Sequence, residues 1–343
     1  MKNKKRAKLT DTNLLLLITI VVFFAMYLGA MIFLGKGFLK AQTLFNILNA
    51  NAGLIIVSVG MSIVMITGGI DISVGGVTAL VTMCCAVHLD HNGGSVFTSF
   101  LLALGIGLAF GLVQGYLIAY LDIQPFIVTL AGMFFAKGLT TIVHTNPFNV
   151  INEEFVALKD TRVEVPLMGT VNRLGKYVPA YVQVGVIVAI IVVIVFFCVL
   201  RWTKTGRNFY AVGGNSQSAL MLGINVKRTK FLSYLISGLL AGLGGYAYFL
   251  YVGCGSPSNA SGMEMNAIAS SIIGGTMLTG GVGNIVGTFF GVMSLSTIKN
   301  IVSSAGLGDA WWTNITVAAM LCIFLLIQSV VMARKKRAAK TKS

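Results

Sequence analysis

Charged residues are spaced so that long stretches of this chain carry none: 12–35, 41–70, 72–89, 91–121, 123–136, 138–152, 177–200, 231–263, 265–298 and 310–333. A helix rising 1.5 Å per residue needs about 20 residues to cross ~30 Å of hydrocarbon. The runs predict helices near 13–34, 50–68, 74–89, 96–120, 125–143, 179–200, 231–252, 264–278, 284–299 and 311–332. The fold class is therefore an all-α polytopic membrane protein of about ten helices. Composition agrees. Only 10% of the 343 residues are charged and 56% are hydrophobic, with a mean hydropathy of +0.87, whereas soluble domains are about 25% charged.

A net charge of +15 at first suggests a nucleic-acid partner, but its placement excludes one. Lys2, Lys4, Lys5, Arg6 and Lys8 against Asp11 make the N-terminal stretch +4. Arg201, Lys204, Arg207, Lys227, Arg228 and Lys230 make 201–230 +6, and Arg334, Lys335, Lys336, Arg337, Lys340 and Lys342 make the tail another +6. The rest of the chain is −1. Three confined basic blocks between apolar runs are topology signals, with membrane lipid as the surrounding partner.

Positive-inside placement puts both termini and 201–230 in the cytoplasm. That needs an even number of crossings on each side of 201–230, and the expected helices supply six and four. The polar, neutral loop 144–178 then falls outside. Lys36 and Lys40, expected outside, oppose this but are outnumbered. The first apolar run exceeds the 7–15 residues of a signal-peptide core and reads as a retained anchor. The domain reading is a basic N-terminus 1–12, one transmembrane unit 13–332 and a basic tail 333–343. The run 265–298 would make a helix of about 50 Å, so it must turn back, as two short spans or a re-entrant pair. Gly274, Gly275, Gly280, Gly281 and Gly283 are the expected break.

No enzyme signature is present. The chain has no G-x-x-x-x-G-K-[ST], no metal site is expected, and no cofactor is assigned to it. His88 and His91 beside Asp90 read as a polar turn rather than a metal site, and Glu153 and Glu154 as solvated carboxylates. Cys84, Cys85, Cys198, Cys254 and Cys322 read as small apolar core residues. Lys137, inside the fifth helix, is an intramembrane charge and so a site candidate, or else a side chain reaching for an interface.

Two segments stand out. In Gly68-Gly69-Ile70-Asp71-Ile72-Ser73-Val74-Gly75-Gly76 an acid lies between glycine pairs. This marks either a helix broken at a pathway or interface, or a plain cap on the third span by Asp71 or Ser73. The second runs from Thr203 and Lys204 through Thr205, Gly206, Arg207, Tyr210, Gly213, Gly214 and Asn215 to Gly223. The loop 201–230 that holds it, at about 30 residues, is longer than a connector needs to be, has a short helical pattern near 216–223, and reads as a docking surface. Gly105, Gly107, Gly111 and Gly115, and Gly283, Gly287 and Gly291, are small-x-x-x-small stripes for close packing.

At these motifs the chain resembles the permease subunits of bacterial ABC importers for monosaccharides, the ribose, xylose and galactose group. The resemblance rests on Gly68–Gly75, on Thr205-Gly206-Arg207 through Asn215 to Gly223-Ile224, and on Ile273-Gly274-Gly275 through Gly280-Gly281-Val282-Gly283 to Thr288. Thr129–Phe135 and Trp311-Trp312-Thr313 look most like galactofuranose-type permeases. Autoinducer-2 and branched-chain amino acid permeases are relatives, and GGIDISVG favours the sugar side. The resemblance implies a multi-pass protein of the bacterial cytoplasmic membrane, paired with a second permease copy or paralogue. Cytoplasmic ATPase subunits would bind 201–230, and an extracytoplasmic sugar-binding protein would deliver substrate. Gly68, Gly69, Asp71, Ser73, Gly75, Gly274, Gly275, Gly280 and Gly281 would then belong to translocation and gating. Thr205, Gly206, Arg207, Tyr210, Gly213, Gly214, Asn215 and Gly223 would belong to ATPase coupling. The competing class is an ion-coupled transporter or channel working alone, with Asp71 and Glu264 as its candidate acids.

Overall fold

The computed structural model describes residues 11–35, 38–171 and 177–340. The basic residues Lys2, Lys4, Lys5, Arg6 and Lys8, together with Lys36, Arg173, Lys176 and Lys342, lie outside them. Each expected helix is present: α1 (Asp11–Leu34), α2 (Ala41–Ile66), α3 (Val74–Asp90), α4 (Val96–Ala119), α5 (Pro125–Val143), α7 (Val184–Trp202), α10 (Val226–Val252), α11 (Met263–Ile273), α12 (Ile285–Ser304) and α13 (Ala310–Lys340). Among the described residues, eight helices are long and apolar enough to cross a membrane. The 17-residue α3 is shorter. The 11-residue α11 spans about 16 Å and cannot cross alone, so the turn in 265–298 is made by a half-helix.

Three helices lie in the connections. β1 (Phe148–Asn149) pairs antiparallel with β4 (Cys254–Gly255), and α6 (Glu153–Asp160) occupies the polar loop ahead of an antiparallel hairpin of β2 (Arg162–Val171) and β3 (Tyr177–Gln183). The 201–230 segment folds into α8 (Lys204–Gly214) and α9 (Ser216–Met221). α9 matches the short pattern read at 216–223; α8, expected as loop, is a helix.

The core is built around α2, whose apolar window is 83% buried against 17–33% for α1, α4, α5, α7 and α13. α10 packs against α2, α3 and α4. Gly107 and Gly111 of α4 meet Gly238, Gly242 and Leu235 of α10 backbone to backbone. Gly105 faces open space and drops out of that stripe. Gly287 and Gly291 of α12 seat on Gly274 and Ser270, while Gly283 precedes the helix. Hydroxyls cross-link the core: Ser58 with Ser270 (3.0 Å), Ser62 with Ser271 (2.9 Å) and Thr288 (2.6 Å). The outer helices present Phe33, Phe97, Phe134 and Ile142, all more than half exposed, as lipid requires. Cys322 is exposed on α13, a correction to its reading as a core residue.

In the turn after α3, His88 bonds Thr98 Oγ1 at 2.8 Å and His91 stacks on Phe148. Asp90 accepts from the N–H groups of Ile151 and Asn152 at 2.9 and 3.1 Å.

Candidate functional site

α2 and α11 end in the same way. After Ile66, Gly68 takes φ +85°; its N–H donates to Met65 O, and that of Gly69 to Val64 O. After Ile273, Gly275 takes φ +88°; its N–H donates to Ile272 O, and that of Thr276 to Ser271 O. Both are the left-handed, glycine-dependent helix stop that satisfies orphan carbonyls. The glycine pairs sit one residue apart in the two motifs because the left-handed position falls on the first glycine of one and the second of the other. At α11 the remaining carbonyls are taken from outside. Thr19 Oγ1 of α1 donates to Ile273 O and Gln328 Nε2 of α13 to Ile272 O, each at 2.7 Å. The carbonyls at this helix end are thereby satisfied within the protein.

Beyond α2's stop the chain places Asp71, 2% exposed, in a hydroxyl cage. Its Oδ1 accepts from Ser73 N (3.1 Å) and Ser73 Oγ (2.6 Å), and its Oδ2 from Ser237 Oγ of α10 (2.7 Å). Ser73 Oγ also lies 3.1 Å from Gln114 Oε1 of α4. Neither Asp71 nor Ser73 bonds an N–H of α3's first turn; Ser73 holds the cap position without a side-chain bond. Asp71 thus takes the N–H of α3's cap residue, as a capping acid does, within a network that joins the α2–α3 break to α10 and, through Ser73, to α4. In α3's first turn, Gly75 abuts Glu264 of α11.

The second segment docks on the first. Gly213 of α8 lies so close to α2's last residue that a Cβ would strike the Ile66 carbonyl and stand 2.7 Å from Gly281 N. That carbonyl, freed by the helix end, accepts from Gly281 N at 2.9 Å. Gly280 packs on Gly213 and Gly68, and Gly281 on Gly214. Tyr210 Oη donates to Gly283 O at 2.9 Å; burial pushes its phenol up to about 12, so it remains a donor across the physiological range. The three glycine-rich stretches thus meet at one point, formed by Ile66–Gly68, Gly213–Gly214 and Gly280–Gly283.

Several loop residues serve the scaffold. Gly206 is buried against Val199 and Leu200 of α7. Asn215 caps α9 through Ser218 N (2.8 Å), and Gly223 turns the chain at φ +77°. Thr205 is half-buried, and exposed Arg207 donates to Trp202 O. What faces outward is an unanticipated apolar knob, Leu220, Met221 and Leu222, exposed by 65%, 89% and 79%, beside exposed Lys204, Arg207, Lys227 and Arg228. Their order along the chain carries no signal of this; only the α9 turn brings them outward. Lys137, read as an intramembrane charge, pairs with Glu264 Oε1 at 3.9 Å. Lys299, not singled out from the sequence, donates to Asn266 Oδ1 at 3.0 Å.

An apolar bundle of eight membrane-length helices, with a half-helix and a break held by a polar cage, is the architecture of a polytopic membrane protein. The family described as branched-chain amino acid transport system / permease component matches residues 43–325, and the chain belongs to it as a permease subunit of an ABC importer. It is 37% identical over 316 residues to the inner membrane ABC transporter permease protein YjfF of Escherichia coli (strain K12), covering 92% of each chain. It is 34% identical to the fructose import permease protein FruG of Bifidobacterium longum (strain NCC 2705), covering 96% of this chain and 95% of that one. It is 33% identical to the ribose import permease protein RbsC of Escherichia coli (strain K12), covering 86% and 88%. No solved structure matches the chain.

Proposed function

We propose that the chain forms half of the translocation pathway of an importer for a monosaccharide, with energy supplied by a separate ATPase. The observation that carries this reading is the junction of Gly213, Gly281 and the Ile66 carbonyl, which ties the basic docking segment to both broken helices. Fructose and ribose permeases among the relatives and the GGIDISVG stretch support the sugar class; Thr129–Phe135 and Trp311-Trp312-Thr313 point within it to a galactofuranose-type substrate. Both termini and α8–α9 lie in the cytoplasm of a bacterial cell, and the β2–β3 hairpin lies outside, facing a sugar-binding protein. A second permease copy or paralogue completes the pore, with 13–332 as the transmembrane unit. Asp71, Ser73 and the glycines of 68–75 and 274–281 form the moving break. Thr205 to Gly223 is the frame that offers Leu220, Met221 and Leu222 to the ATPase.

The test is Met221→Asp in the complete complex reconstituted in proteoliposomes. At 89% exposure the substitution leaves the bundle intact, so membrane abundance stays at wild-type level while binding-protein-stimulated ATP hydrolysis falls at least tenfold. Unchanged stimulation, or wild-type uptake driven by an ion gradient without ATP, overturns the reading.

A further inference from the structure

The first turn of α11 is held from both sides by lysines inside the membrane. Lys137 lies about 18 Å along α5 from Pro125, and Lys299 about 21 Å along α12 from Ile285. The Lys137 side chain is 36% exposed and that of Glu264 8%. Charges at such depth are costly and gather where a polar pathway runs. Their separation of 3.9 Å exceeds a direct hydrogen bond. Glu264 Oε2, moreover, is buried with no hydrogen-bond partner, an unmet acceptor on a charged group. The pair is made through Oε1, and a hydroxyl, which donates one hydrogen bond and accepts others, fits between that oxygen and the partly exposed Lys137 Nζ. It donates to the Glu264 carboxylate and accepts from the Lys137 ammonium. Asn266, fixed by Lys299, extends the same turn with further amide capacity.

We propose that Lys137 and Glu264, flanked by Asn266 and Lys299, form a contact point inside the membrane for the hydroxyls of the transported monosaccharide. This rests on the monosaccharide-importer reading. Glu264 abuts Gly75, four residues beyond Asp71, so the contact point shares α3 with the break and senses its position.

The experiment uses the complete complex in proteoliposomes, with ribose, fructose and galactose in both its pyranose and furanose forms as probes, each supplied with its matching binding protein. Lys137→Met and Glu264→Gln each lower uptake at least tenfold at equal permease abundance. In Lys137→Cys, alkylation by a membrane-impermeant maleimide, read at position 137 by peptide mass spectrometry, slows at least threefold when an imported sugar is present. Two results overturn the contact point while leaving the importer reading intact. One is alkylation indifferent to sugar. The other is recovery of uptake in the charge-swapped pair Lys137→Glu with Glu264→Lys, which a purely structural ion pair allows and a hydroxyl-reading site does not. Wild-type complexes that take up none of the three sugars overturn both.

Discussion

Asp71 and Gly213 show how single residues decide this site. Asp71 receives three hydrogen bonds, from Ser73 N, Ser73 Oγ and Ser237 Oγ. Asp71→Ala strands the Ser73 N–H and the Ser237 hydroxyl, at about 1–3 kcal/mol per buried group, while the Ser73 hydroxyl turns to Gln114 Oε1; Asp71→Asn keeps an acceptor and can turn its amide toward the Ser237 hydroxyl. Thermal unfolding of the detergent-solubilised permease should therefore rank wild type above Asn and Asn above Ala. At Gly213 any side chain meets backbone on two sides, so Gly213→Ala should destabilise by about 1–3 kcal/mol through overpacking. Gly105→Ala, in open space, should leave stability unchanged or raise it by up to about 1 kcal/mol. Equal unfolding temperatures for these two variants would refute the close approach. Asp71 was legible from sequence because a charge among apolar residues requires a cause. Its partners were not, since Ser237 is an unremarkable serine 166 positions away. The same holds for Lys137, whose pairing with Glu264 depends on a fold that brings α5 to α11.

At the scale of elements, charge-free length located every long helix, and glycine pairs located both helix stops. α8 escaped because its glycines and polar residues give little intrinsic helix preference. Burial of Phe209 and Val212 and the Thr203 cap on Gly206 N stabilise it instead, and packing supplies most helix stability in proteins. The hairpin was missed although Val163, Val165, Val178 and Val182 alternate in a β-favouring pattern. The bond from Tyr210 to Gly283 ties α8 to the loop between α11 and α12. Tyr210→Phe removes one part-buried bond, worth about 1 kcal/mol, and leaves Gly283 O unanswered. Stimulated ATP hydrolysis should remain while uptake per ATP hydrolysed falls several-fold; an unchanged transport-to-hydrolysis ratio would show that the tether carries no coupling.

Across the whole molecule, the proposed orientation separates two surfaces. In sealed right-side-out vesicles an impermeant maleimide should label Thr161→Cys, in the exposed turn after α6, and spare Met221→Cys until the vesicles are opened. The reverse pattern would invert the proposed topology.

α2 meets both surfaces. At one end its last carbonyl is held by Gly281 and abutted by Gly213. Toward the other end, Gln42 exchanges hydrogen bonds with the backbone of Tyr181 (3.3 and 2.9 Å) and Asn49 accepts from Gln183 N at 2.9 Å. Its 26 residues make a rod about 39 Å long, and a tilt of about 5° about one end carries the other about 3 Å. Such a displacement needs no relay of loosened side chains. With the proposed partners in place, a push on α8 would arrive at the β2–β3 hairpin as a swing of the same solid piece, the binding protein and the ATPase touching opposite ends of one push-rod.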